Sequence, residues 1–258
     1  MFVTRRYALK SDRTGEHESG GSAADRPPLR IVLLTDLHNT FHGKRQRKLI
    51  DGVIAENPDL ILLAGDFADN DRQIDATLSL LDGVTEHAPV YYVTGNHEYY
   101  YGFVETIWAK LKTHGAVILS DGYVELDVNG GKVVLCAADD PGRIKYDPGY
   151  DQGAAMARAF GRLGGVIGYK ILIAHRPERI AEYLEYPFDL ILAGHAHGGQ
   201  VRIPFLVNGL YSPNQGFLPK YAGGYYEKER MIVSRGLSVY PLFPRVFNPP
   251  ELVSITIA

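Results

Sequence analysis

A chain of 258 residues, 45% hydrophobic and 22% charged, has enough apolar material for a sizeable core, which excludes a disordered or fibrous protein. The formal net charge of -3 gives no global attraction for nucleic acid, so none is expected as a partner, and a single cysteine excludes an intrachain disulfide framework. No apolar run approaches the roughly 20 residues that span a bilayer. The expected location is therefore the cytoplasm or the membrane periphery.

At the N-terminus, "TRRYALK" (Thr4 to Lys10) resembles a twin-arginine export signal, but polar residues follow where an apolar segment belongs. It reads as an edge strand, and a targeting segment upstream stays open. Residues 15 to 28 are polar and end in Pro27-Pro28, the composition of a flexible loop. The expected division is an N-terminal strand and loop over 1–29 and one domain over 30–258.

From Arg30 the chain alternates between short apolar runs and helical patterns. "RIVLLTDLH" reads as a buried strand closing on Asp36 and His38. Next comes "HGKRQRKLI", which sets Lys44, Arg45, Arg47 and Lys48 at the start of a helix whose apolar stripe is Leu49, Ile50, Val53 and Ile54. "DLILLAGD" closes on Asp66, and "VYYVTGNHE" on Asn96 and His97. A second helix carries Val104, Ile107, Trp108 and Leu111 at helical spacing before Gly115. "KVVLCAADD" makes Cys136 a buried small hydrophobe rather than a nucleophile. "YKILIAHRP" closes on His175, "DLILAGHAH" on His195 and His197, and "RMIVSRG" and "ELVSITIA" complete the strands. Such alternation predicts a largely parallel sheet with helices outside it.

One histidine at a strand end is more often a hydrogen-bonded structural residue than a ligand. Five of the nine histidines at strand ends, joined by Asp36, Asp66 and Asn96, point the other way. Groups just beyond the carboxyl ends of parallel strands converge on one crevice. Residues two apart in an extended chain share a direction, so Asp36 with His38, and His195 with His197, are expected to form clamps. Mixed oxygen and imidazole ligands suit manganese, zinc or iron rather than calcium. Too many ligands are present for one tetrahedral ion, so two ions sharing Asp66 fit better. About 4 Å apart with a bridging hydroxide, they would keep a net positive charge suited to an anionic phosphoester.

"DLH" (36 to 38), "GD" (65 to 66), "GNHE" (95 to 98), "AH" (174 to 175) and "GHAH" (194 to 197) together resemble the ordered motif series of the calcineurin-like metallophosphoesterases. "GHAHGGQ", "VSRGL" and "FNPPEL" are similar to the bacterial branch of YkuE and YaeI type, which includes membrane-associated phosphodiesterases. The resemblance implies a four-layer αββα sandwich of two mixed sheets flanked by helices. It implies that Asp36, His38 and His197 hold one ion and Asn96, His175 and His195 the other, with Asp66 bridging. His97 would assist the leaving oxygen, and Glu98 and Asp69 would support the ligands. The second motif, "GDFADND", lacks the arginine of the protein-phosphatase branch, which disfavours a phosphoprotein substrate.

The expected function is a hydrolase: a binuclear phosphoesterase acting on a phosphodiester or pyrophosphate, with manganese first and zinc or iron as alternatives. A lipid-linked substrate or phospholipid at a membrane surface is suggested by Lys44, Arg45, Arg47 and Lys48. The aromatic, proline-rich segments 217–226 and 239–247, which carry Lys220 and Arg245, suggest the same. Two competitors stay open. A non-catalytic scaffold on the same fold would be expected to have lost ligands, and a metal-dependent nuclease should show a basic stripe with stacking aromatics.

Overall fold

The structure, a computed structural model, describes residues 1–10, 26–100, 102–239 and 244–258. The loop expected over 15–28 therefore lies outside the described residues except for Arg26 to Pro28, as does part of the 239–247 segment. In chain order the strands are β1 (Val3–Leu9), β2 (Leu29–Leu34), β3 (Leu60–Ala64), β4 (Val90–Val93), β5 (Ala116–Ile118), β6 (Gly122–Val128), β7 (Gly131–Ala138), β8 (Tyr169–Ala174) and β9 (Leu190–Ala193). The short β10 (Tyr211–Ser212), β11 (Gly216–Phe217), β12 (Gly224–Tyr226) and β13 (Met231–Val233) follow, and β14 (Glu251–Ile257) closes the chain. The helices are α1 (Arg47–Ala55), α2 (Asp75–Val84), α3 (Asn96–Tyr100), α4 (Val104–Thr113), α5 (Gln152–Phe160) and α6 (Ile180–Tyr183).

Twelve of these strands form two six-stranded mixed sheets, ordered β1-β14-β2-β3-β4-β5 and β12-β13-β9-β8-β7-β6, and β10 pairs with β11 in a separate hairpin. In the first, β2 to β5 run parallel and β14 pairs antiparallel to β2 and parallel to β1. In the second, β7, β8, β9 and β13 run parallel, with antiparallel β6 and β12 at the edges.

The two-residue period of each strand explains the stacking. Ile31 and Leu33 of β2, Leu60 and Leu62 of β3, and Leu135, Ile171 and Leu192 of the second sheet meet in one core between the sheets. Their neighbours Val32, Leu34, Ile61 and Leu63 face outward and pack with α1, α2 and α4. On the far side, Val134, Cys136, Leu172 and Ile191 pack with α5 and α6. Each central strand is buried on both faces, so it reads as an unbroken apolar run. Truncating one of these leucines to alanine costs about 2–5 kcal/mol. The result is a four-layer αββα sandwich. A single parallel sheet, predicted from the alternation alone, is corrected to two sheets because a run buried on both faces does not reveal which of its sides meets a second sheet. Burial pushes the Cys136 thiol up to about 12, as befits a core residue.

Candidate metal centre

Parallel strands bring their carboxyl ends to one end of each sheet, and the two ends meet. From the first sheet, β2 leads into Asp36 and His38, β3 into Asp66, and β4 into Asn96 and His97. From the second, β8 leads into His175 and β9 into His195 and His197. Backbone bonds lock these exits together: the Asp36 amide donates to Gly65 O (3.0 Å), His38 to Asp66 O (3.1 Å), and Gly194 to His175 O (3.0 Å).

The clamps do not arise from extended chain, which corrects the expectation. Asp36, His38, Asp66, His195 and His197 all have positive φ, between 45° and 63°, a left-handed backbone that costs of order 1–3 kcal/mol per residue and clusters at functional sites. Neighbouring glycines make room for them. A Cβ on Gly95 would overlap Asp66 Oδ1, and one on Gly194 would lie 2.6 Å from Asp36 Oδ2.

The side chains converge into groups whose ligand atoms lie within 4.8 Å of one another: Asp36, His38 and His197; Asp66, His175 and His195; and His38, Asp66 and His97. His175 Nε2 is 3.2 Å from Asp66 Oδ2 and His38 Nε2 3.6 Å from the same oxygen, while His197 Nε2 is 3.5 Å from Asp36 Oδ1. Asn96 Oδ1 is buried without a hydrogen-bond partner. A buried carbonyl oxygen left unpaired costs about 1–3 kcal/mol, so it calls for an electropositive ligand. Together with the carboxylates and imidazoles, it fits a borderline divalent cation.

The outer contacts orient these rings. Asp69 Oδ1 lies 2.6 Å from His38 Nδ1 and 2.9 Å from His97 Nδ1. His175 Nδ1 is 2.8 Å from Ala64 O, His195 Nε2 is 2.9 Å from Asn214 Oδ1, and Ser238 Oγ is 3.1 Å from His197 Nδ1. Glu98 accepts from the amides of Asp66, Phe67, Ala68 and Gly95 at 2.7–3.2 Å. Sequence reasoning singled out Asp69 and Glu98 but missed Asn214 and Ser238. Both come from loops far along the chain, and a turn-like "SPNQ" and a serine after "SRGL" were their only local signals.

Without cations the cluster carries opposed tendencies. Burial opposes the charge of Asp66, but His175, His97 and His38 outweigh it and hold the carboxyl well below its usual range. Burial instead pushes Asp36 up. Burial also opposes charge on His175 and His97, yet Asp66 raises the first to about 10, and Asp69 with Asp66 raises the second to about 9. Burial and the neighbouring His175 lower His195 to about 3. Charge is thus favoured on the rings of His175 and His97 and disfavoured on that of His195.

Other expected residues fall elsewhere. Lys44, Arg45, Arg47 and Lys48 are exposed. Lys44 and Arg45 precede α1 in a kinked turn where Arg45 has φ 47°, so only Arg47 and Lys48 stand on the helix; Arg47 pairs with Asp51. His42 is structural, its Nε2 2.9 Å from Leu237 O.

An αββα sandwich whose strand ends gather carboxylates and imidazoles at one point is the architecture of metal-dependent phosphoesterases. The chain belongs to the calcineurin-like phosphoesterase family, whose profile it matches over residues 29–199. It is 31% identical over 89% of its length to an uncharacterized metallophosphoesterase of Campylobacter jejuni, spanning 59% of that protein. It is 28% identical to the uncharacterized metallophosphoesterase YkuE of Bacillus subtilis, covering all of this chain and 86% of that one. It is also 28% identical to the phosphodiesterase YaeI of Escherichia coli, over 88% of this chain and 82% of that one.

Proposed function

We propose that the chain hydrolyses a phosphodiester or pyrophosphate with the help of two divalent cations, manganese first and zinc or iron as alternatives. The observation that carries this reading is the pair of ligand groups built around Asp36 and Asp66, with the unpaired Asn96 Oδ1 beside them. Asp36, His38 and His197 would hold one cation, and Asn96, His175 and His195 the other, with Asp66 shared. When bound, the cations polarise the phosphoryl oxygens and activate a water for in-line attack. His97, the more open imidazole at 33% side-chain exposure, gives its Nδ1 to Asp69 and so carries its working proton at Nε2. It delivers that proton to the departing oxygen. A panel of soluble monoesters, diesters, nucleotide pyrophosphates and phospholipids, assayed after loading with each metal, tests the reading. Wild-type protein that binds no divalent cation near neutral pH overturns it.

We further infer a lipid-linked substrate reached from a membrane surface. Phe205, Leu206, Phe217, Leu218 and Phe247 are 64–105% exposed, an apolar rim of the kind that marks an interaction surface. Phe217 belongs to the β10–β11 hairpin whose turn residue Asn214 reaches His195. Thr40, a few residues before the basic turn, accepts from Val239 N at 3.3 Å. Each cation near an anionic surface adds about 1 kcal/mol. Among the described residues no helix is long and apolar enough to cross a membrane. Co-sedimentation with anionic but not neutral liposomes, weakened by salt, is expected. Absence of binding to anionic vesicles, with equal turnover of soluble and lipid diesters, rejects the lipid reading alone.

A further inference from the structure

His195 has two ring nitrogens with different neighbours. Nδ1 is 3.2 Å from His175 Nε2 and faces the group around Asp66, while Nε2 is 2.9 Å from Asn214 Oδ1. A neutral imidazole can ligate a cation only through the nitrogen that lacks hydrogen, so the tautomer decides whether His195 can serve.

What fixes the tautomer lies two residues further out. Arg176 Nη1 donates to the same Asn214 oxygen at 2.8 Å. A guanidinium has donors only, so the amide atom facing it must be the oxygen and not the nitrogen. That oxygen has no hydrogen to give, so His195 Nε2 must carry one, and Nδ1 is left bare toward the metal-binding group. Arg176 is itself held by the buried Asp140, through Nε at 2.6 Å and Nη2 at 3.1 Å. Arg176 and His195 sit just beyond β8 and β9, Asp140 beyond β7, and Asn214 in the turn between β10 and β11.

We propose that Asn214 is a positioning residue that holds His195 in its Nε2–H tautomer, with Asp140 and Arg176 fixing the orientation of the Asn214 amide. The tautomer does not require a cation, whereas its consequence for affinity rests on the two-cation reading above. Asn214 has a φ of 61°, so a simpler role in shaping the turn has to be separated from the hydrogen bond. Glycine and aspartate both accept that backbone.

The test uses N214G, which keeps the turn and removes the acceptor at 2.9 Å, leaving Glu178 Oε1 at 4.0 Å, and N214D, which keeps both. Long-range ¹⁵N–¹H spectra of the chelated full chain report which nitrogen of His195 is protonated, and calorimetric titration with Zn²⁺ alone reports affinity. Expected is an Nε2–H signal in wild type and N214D, its loss in N214G, and a 10- to 100-fold weaker Zn²⁺ site in N214G. An Nδ1–H signal in wild type, or an N214G protein with wild-type spectrum and affinity, overturns the proposal. Wild type that takes up no Zn²⁺ while showing Nε2–H would reject the two-cation reading and uphold the tautomer assignment.

Discussion

Strands of the first sheet end in carboxylates and imidazoles together, Asp36, His38, Asp66 and His97, whereas those of the second contribute imidazoles alone, His175, His195 and His197. Two acid-base pairs cross the seam, Asp36 with His197 at 3.5 Å and Asp66 with His175 at 3.2 Å, while His38 meets Asp66 at 3.6 Å within the first sheet. Of the three ligand groups, two draw on both sheets, and the third, His38, Asp66 and His97, comes from the first alone. The apolar core holds the sheets together along most of their length, and at this end His175 Nδ1 lies 2.8 Å from Ala64 O and the His195 amide donates to Asp36 at 3.1 Å.

The largest effect should come from removing the one carboxylate that both groups of ligands approach. Asp66→Asn is expected to lose bound metal and activity together. His97→Ala, which alters the half-buried imidazole at the start of α3, should keep the metal and lose about 10² to 10⁴ in rate. Elemental analysis beside the rate measurement separates the two; equal metal content in both variants would deny Asp66 its shared role.

Next in size is a pH effect that has opposite slopes in the metal-free and metal-loaded protein. Burial opposes charge on His175, but Asp66 outweighs it and raises the folded value to about 10 from 6.5. In chelated protein its contribution is therefore fully present below about pH 6.5 and lost as pH rises through about 10. Melting temperatures of chelated protein should fall across that window, and His175→Gln should flatten the fall. Metal binding needs the neutral ring, so affinity should instead rise with pH. A metal-free protein whose melting point is level from pH 6.5 to 10 would refute the cross-seam pairing.

The smallest effect tests the far edge of the first sheet, where Arg6 of β1 meets Glu56 at 2.5 Å. The arginine side chain is 68% exposed, so Glu56→Gln should lower stability only slightly by chemical denaturation. The hydrogen bond from Arg6 holds Glu56 below its ordinary 4.5, so that small contribution is present above about pH 4.5 and fades as pH falls further.

Strand positions and the convergence of their terminal residues were legible because both follow from local order: an apolar run, a small residue, then Asp or His. The second sheet was not. Leu33 and Leu34 look alike in sequence, yet one faces the inter-sheet core and the other α1 and α2. The alternating β6 run "GYVELDV" went unassigned, although alternation is the mark of a half-buried edge strand. The left-handed backbone of Asp36 and His195 was equally hidden, since glycine is the residue that advertises positive φ and these are not glycines. Asn214 could not be foreseen because its partners His195 and Arg176 are 19 and 38 residues away and the contact exists only after the sandwich closes.

Glu98 has a kinetic consequence. Its carboxylate gathers the amides of Asp66, Phe67, Ala68 and Gly95, which fixes the loop beyond β3 against the start of α3 by means internal to the chain. The loop that presents Asp66 is therefore held by bonds that involve no cation. Uptake from solution then needs no search by the backbone, and its speed should be governed by how fast the incoming ion sheds water and by displacement of the protons held in its place. Filling of chelated protein should follow one rapid phase whose rate changes with the identity of the metal and not with the viscosity that slows chain motion.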